Sequence, residues 1–144
     1  MLIATHIFGV YKFFMRKFMD IWEKLKEKRL LLIDDDESIR DSMSLFFLNE
    51  GCHLLALDTA EKGMEAIDTQ AFDIIITDYI LPGINGLEFA RNVKTRYPKT
   101  QLVLITAYLN ENLTSKAREM GFDEMIRKPF TTGTIEKALS GLME

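Results

Sequence analysis

From Leu30 onward, short runs of leucine, isoleucine and valine alternate with stretches whose apolar residues recur every three or four positions. Near-continuous apolar runs suit strands buried on both faces, the situation of a parallel sheet covered by helices. The candidate strands lie at 30–33, 53–57, 73–77, 101–105 and 123–126. Between and after them, five helical patterns bring together Ile39, Met43, Phe46 and Phe47; Ala60, Met64 and Ile67; Leu87, Ala90, Val93 and Tyr97; Leu113, Ala117 and Met120; and Ile135, Ala138, Leu139 and Leu142. Pro98 and Gly121 stop the third and fourth, and Asn85 followed by Glu88 is a capping-box-like start. Five β-α units joined by right-handed crossovers form an open, doubly wound α/β sheet. Ligands of such sheets sit outside the carboxyl ends of the strands, where strand order reverses.

The length of 144 residues allows one such domain and excludes two. A single cysteine, Cys52, cannot form an internal disulfide, which points to a cytoplasmic setting. With only His6 and His53 beside it, neither a zinc cage nor a serine triad is expected. Residues 1–29 carry seven basic and three acidic groups, whereas the remainder holds 11 basic and 19 acidic groups. A body with a net charge of -8 repels a phosphate backbone, so no nucleic acid partner is expected.

The residues closing the candidate strands carry the chemistry. Asp34, Asp35 and Asp36 follow the first, Asp78 the third, Thr106 the fourth and Lys128 the fifth, while Asp58 and Thr59 after the second read as a helix cap. If the first and third strands are neighbours, Asp34, Asp35 and Asp78 converge. Two such charges 4 to 6 Å apart repel by roughly 3–4 kcal/mol at an effective dielectric of about 20, so the site retains a proton or recruits a cation. All-oxygen ligands favour Mg²⁺. An acidic magnesium site with a lysine and a threonine beside it suits phosphoryl transfer, with one carboxylate as nucleophile. Each residue alone has a plainer reading, Asp34 to Asp36 as a capping turn and Lys128 as a solvated charge. Their coincidence at four strand ends favours the chemical one.

Four segments carry a family resemblance: Leu-Leu-Ile-Asp-Asp-Asp-Glu-Ser-Ile-Arg at 31–40, Ile-Thr-Asp-Tyr-Ile-Leu-Pro-Gly-Ile-Asn-Gly at 76–86, Leu-Ile-Thr-Ala-Tyr at 104–108 and Arg-Lys-Pro-Phe at 127–130. Over residues 29–144 the chain resembles a response-regulator receiver domain of two-component signalling. The resemblance implies a flavodoxin-like five-stranded sheet in the order 2-1-3-4-5, with Asp78 accepting a phosphoryl group from a sensor histidine kinase or a histidine phosphotransfer protein. It further implies that Asp35 binds Mg²⁺ directly and Asp34 through water, with Asp78 and the backbone carbonyl of Ile80 completing the protein ligands. Thr106 would be the switch hydroxyl, small Ala107 would leave the phosphoryl group room, and Lys128 would pair with phosphorylated Asp78 ahead of a cis bond to Pro129. Ile80 and Tyr108 would flank the attacking water and tune the lifetime of the acyl phosphate. One position departs from the family pattern. Met125 stands where an aromatic residue is usual, three before the lysine, so Met125 or Tyr108 is expected to carry that part of the signal.

Residues 1–28 read as an amphipathic helical extension. Ile7, Tyr11, Phe14, Phe18, Ile21 and Leu25 follow a heptad-like seam, widened by Phe8, Met15 and Trp22. Its apolar start is too short and too interrupted to span a bilayer, and it lacks the pattern of a signal peptide. Packing on its own domain, a homodimer, and contact with an anionic membrane surface through Lys12, Arg16 and Lys17 are the alternatives, the dimer being preferred over the membrane. Met15 and Met19 offer alternative translation starts.

Two other functions compete with phosphoacceptance toward a downstream protein target. Asp34-x-Asp36-x-Ser38 superficially resembles the nucleophile motif of haloacid-dehalogenase-like phosphatases, and an inert receiver-like scaffold would need none of these groups.

Overall fold

The computed structural model describes residues 2–143, with side chains described for 4–13 and 21–143. Its elements in chain order are α1 (Leu2–Leu25), β1 (Leu30–Ile33), α2 (Glu37–Asn49), β2 (Leu54–Leu57), α3 (Ala60–Thr69), β3 (Ile74–Asp78), α4 (Gly86–Arg96), β4 (Gln101–Thr106), α5 (Glu111–Glu119), β5 (Glu124–Arg127) and α6 (Thr132–Leu142). The strands form one sheet in the order β2-β1-β3-β4-β5, every pairing parallel. This is the order the resemblance implies. Strand limits lie within one residue of those read from the sequence, but Asp78 and Thr106 are the last residues of β3 and β4 rather than the first of the following loops.

Alternation along each strand divides the core between the two sheet faces. Leu30, Leu32, Ile74, Ile76, Val103, Ile105 and Ile126 face α1, α2 and α6. Leu31, Ile33, Ile75, Leu102 and Leu104 face α3, α4 and α5. All the positions assigned from sequence to the five helices of the body lie in or against these clusters, and Phe89 joins them, fully buried on α4. Each helix of the body has a side-chain N-cap: Asp36, Thr59, Asn85, Asn110 and Thr131 each accept a backbone N–H of the first turn. Tyr97 and Met120 close α4 and α5 just before Pro98 and Gly121, and Gly121 takes the left-handed conformation.

The extension is one helix whose two described parts differ. Ile21, Trp22 and Leu25 are buried in the core beside α2. Trp22 meets the rings of Phe46 and Phe47 edge-on, at centroid separations of 5.4 and 5.8 Å. This end of the helix therefore packs on its own domain. Ile7, Phe8, Val10, Tyr11 and Phe13 are instead exposed. The seam's central residues, Phe14 and Phe18, together with Met15, Arg16, Lys17 and Met19, lie outside the described side chains. Among the described residues, no helix is long and apolar enough to cross a membrane.

Candidate functional site

Parallel pairing brings the carboxyl ends of β1 and β3 together. Ile33 lies opposite Thr77, so the next residues on the two chains, Asp34 and Asp78, emerge side by side. The amide of Asp34 donates to the Leu57 carbonyl at 3.0 Å, extending the β1–β2 ladder by one bond. That bond helps hold Asp34 on the sheet, and its side chain is inaccessible to solvent. From α2, Arg40 Nη1 donates to the Asp34 carbonyl at 2.9 Å.

The three adjacent aspartates have separate fates. Asp34 points inward, Asp35 is exposed on the same rim, and Asp36 turns away to cap α2, its Oδ1 accepting the Ser38 amide at 2.9 Å. The plain capping reading thus holds for Asp36. Carboxylate oxygens of Asp34, Asp35 and Asp78 lie within 4.8 Å of one another.

Among the described residues, one cation answers this crowding. Lys128 follows β5, and its amide donates to the Thr106 carbonyl at 2.9 Å, which fixes the backbone from which its side chain reaches. Lys128 Nζ donates to Asp78 Oδ2 at 2.6 Å and lies 2.9 Å from Asp34 Oδ2. The second approach is an ion pair whose angle gives no hydrogen bond, so buried Asp34 Oδ2 is left without one. Burial pushes the Asp34 carboxyl above its ordinary pKa and the neighbouring Asp78 adds to this, against the opposing pull of the Lys128 ammonium and the Asp36 amide. Burial also acts to depress Lys128, but the Asp34 and Asp78 carboxylates outweigh it and raise the ammonium pKa. One ammonium thus serves two carboxylates, with the third carboxylate, Asp35, close beside them. Three carboxylates around one ammonium, in a cluster built only from oxygen donors, fit a hard divalent cation such as Mg²⁺.

Thr106 is fully buried at the end of β4, and its Oγ1 accepts the Tyr108 amide at 3.1 Å. Its hydroxyl hydrogen remains available to an anion. Tyr108 and Ile80 are exposed, 64% and 53%, beside this rim, and Ala107 is exposed between Thr106 and Tyr108. The Ile80 amide makes a long 3.4 Å bond to Asp78 Oδ1. Met125 is half-buried against the face of the sheet covered by α3 to α5, and the Lys128–Pro129 bond is cis.

Two supporting residues were not singled out from the sequence. A side chain at Gly86 would collide with the Asp78 carbonyl, so α4 can start this close to the acidic rim only with glycine there. Glu61 on α3 accepts the Ile84 amide at 3.1 Å, pinning the loop after Asp78 beside Gly83, whose φ is +80°. Both residues act through backbone approach, which side-chain spacing along the sequence does not encode.

Comparison with known proteins is consistent across sequence and structure. The family model for the response regulator receiver domain matches residues 30–140. The chain is 31% identical over 102 residues to the response regulator protein FleR of Pseudomonas aeruginosa, covering 71% of this chain and 22% of FleR. It is 32% identical over 100 residues to the transcriptional regulatory protein AfsQ1 of Streptomyces coelicolor, covering 69% of this chain and 44% of that one. It therefore spans less than half the length of either relative. Among solved structures, a CheY-like response regulator receiver domain protein from Methanospirillum hungatei superposes with a TM-score of 0.71 at 27% identity, over 78% of this chain and 93% of that one. The beryllofluoride-activated NtrC4 receiver domain dimer gives 0.73 at 28% identity, over 77% and 92%. With the sheet order, the acidic rim and the lysine that bridges it, these matches establish that the chain belongs to the response regulator receiver domain family.

Proposed function

We propose that residues 29–144 act as a phosphoacceptor module and that Asp78 is the residue phosphorylated, with residues 1–28 as an extension. The observation that carries this reading is the single ammonium of Lys128 held between Asp34 and Asp78, with Asp35 completing the acidic cluster. A phosphohistidine on a sensor kinase or phosphotransfer protein is the donor. An Asp78 carboxylate oxygen attacks phosphorus, the P–N bond breaks, and its electron pair leaves with the imidazole nitrogen, which takes up a proton. Asp34, Asp35, Asp78 and the Ile80 carbonyl are the residues that would hold Mg²⁺, which neutralises negative charge on the phosphoryl oxygens when bound.

The chain's own groups do the rest. Lys128 supplies fixed positive charge beside the acceptor, and Thr106 donates its free hydroxyl hydrogen to a phosphoryl oxygen. Ile80 and Tyr108 stand at the exposed edge and govern access of water to the acyl phosphate, hence its lifetime. The output passes to a protein target through a change of conformation.

Acetyl phosphate with Mg²⁺ tests this reading. Stable, alkali-labile label on the wild-type chain that is lost in Asp78→Asn is the expected result. Repeated turnover that depends on Asp34 and survives Asp78→Asn would instead assign a phosphatase, and no label under any condition would leave a scaffold.

A further inference from the structure

The exposed part of α1 differs in kind from the rest of the surface. Over residues 4–13, Ile7, Phe8, Val10, Tyr11 and Phe13 are between 42% and 67% exposed. At about 100° per residue these five side chains sweep an arc of roughly 220°. The heptad seam, widened by Phe8, accounts for Ile7, Phe8 and Tyr11. A paired helix would cover that stripe, and Val10 and Phe13, 42% and 67% exposed, fall outside it. An arc more than half the circumference is better covered by a medium that surrounds the helix than by one partner helix.

Charge identifies the medium. Residues 1–19 contain Lys12, Arg16 and Lys17 and no acidic residue, whereas the other 125 hold 22 acidic and 15 basic residues. Lys12 falls in the remaining polar arc, and its ammonium sits 4.8 Å above the Phe8 ring, at the boundary between the apolar and polar sides. An aromatic-rich arc with a lysine at its edge, on a helix half without acidic residues, is the pattern of a helix lying in the headgroup region of an anionic bilayer. The acidic body would be repelled by the same surface, so contact is confined to the helix. Insertion across the bilayer is not available to a helix of this composition.

We propose that the amino-terminal half of α1 docks in the plane of an anionic lipid surface, through the exposed apolar residues of 4–13 and Lys12 at their edge, on a stretch whose charged residues in sequence are all basic. The helix is anchored to the body by Ile21, Trp22 and Leu25. Leu25 leads into the amino end of β1, and Cys52 Sγ, just before β2, lies 4.0 Å from the Trp22 carbonyl. The anchor is therefore at the rim of the sheet opposite Asp34 and Asp78, and docking leaves the acidic rim accessible.

Flotation of the full chain on a density gradient with vesicles tests the proposal and separates lipid-bound protein, which rises, from self-associated protein, which stays down. The chain is expected to rise with vesicles of phosphatidylcholine and phosphatidylglycerol, not with phosphatidylcholine alone, and less at high salt. Phe8→Ser with Phe13→Ser should reduce the bound fraction at least about tenfold. Lys12→Glu should reduce it by about fivefold or more, since each basic residue near an anionic surface contributes roughly that factor. Both variants should melt and label at Asp78 as the wild type does. Protein that stays down with every composition, or that rises equally with neutral vesicles, overturns the proposal. A concentration-dependent dimer abolished by the phenylalanine variants, without vesicle binding, would overturn it in favour of a second copy.

Discussion

The two rims of the sheet solve opposite problems. At the carboxyl rim, Asp34 and Asp78 share one ammonium and Asp34 Oδ2 lacks a hydrogen bond. At the amino rim, Trp22, Phe46 and Phe47 meet edge-to-face in pairs at 5.4 to 5.8 Å and close off the core. The second arrangement is at rest without a partner. The first holds charge that the fold alone does not satisfy, which stability would disfavour and chemistry can use. Function and stability should therefore separate when each rim is altered.

The largest effect expected is on labelling. Asp78→Asn should reduce acetyl phosphate label to background while the chain remains folded, and Trp22→Ala should do the reverse. The latter should lower unfolding free energy by about 3–5 kcal/mol, read from denaturant midpoints, with labelling per folded molecule retained. Loss of label in Trp22→Ala at a denaturant-free temperature where it is folded would break the contrast.

Next comes the shared cation. Lys128→Met leaves buried Asp34 with no counter-charge and should cost about 3 kcal/mol at pH 7, with recovery as the pH is lowered and the carboxyl protonates. Mg²⁺ should stabilise the wild type by about 2.7 kcal/mol at one hundred times its dissociation constant, and Asp35→Asn by clearly less, as thermal shifts. Equal shifts in the two proteins would detach the acidic cluster from metal binding.

The smallest expected effect is on the pH profile of the metal-free protein. The folded pKa of Asp34 lies above its unfolded value, so its favourable contribution is complete below the unfolded pKa of about 3.9 and is lost as pH rises through the folded value. Lys128 is also raised. Its contribution persists through neutrality and is lost only as pH climbs from about 10.4 through its folded pKa. Asp34→Asn in a chelator should remove the acid-side slope and leave slopes from other groups. Unchanged slope in that variant would place the titration elsewhere.

The fold was legible because strands buried on both faces must be apolar throughout, as at 74–76 and 102–105. Phe89 was not singled out because Leu87, Ala90 and Val93 already complete a helical stripe, yet α4 is covered widely enough to bury it. The residues of the acidic rim were legible because they stand at the carboxyl ends of strands whose identity was clear. Spacing alone did not tell three consecutive aspartates apart, although the resemblance gave metal roles to Asp34 and Asp35 only; what separates them is the direction each side chain takes as the backbone leaves β1 for α2. Arg40, Glu61 and Gly86 were equally hidden, because each acts on backbone brought near by folding. The seam of α1 runs through Ile7 and Leu25 alike in sequence, and only the structure distinguishes its buried end from its exposed one.

The strand that delivers Lys128 has a hydrogen-bonded neighbour on one side only, since β5 closes the sheet next to β4. Adding a dianionic group to Asp78 would redistribute the attraction on that one ammonium, and the resulting tug would fall on an edge strand, held by one neighbour instead of two. A change in valence at the acidic rim would thus be felt at a margin of the sheet.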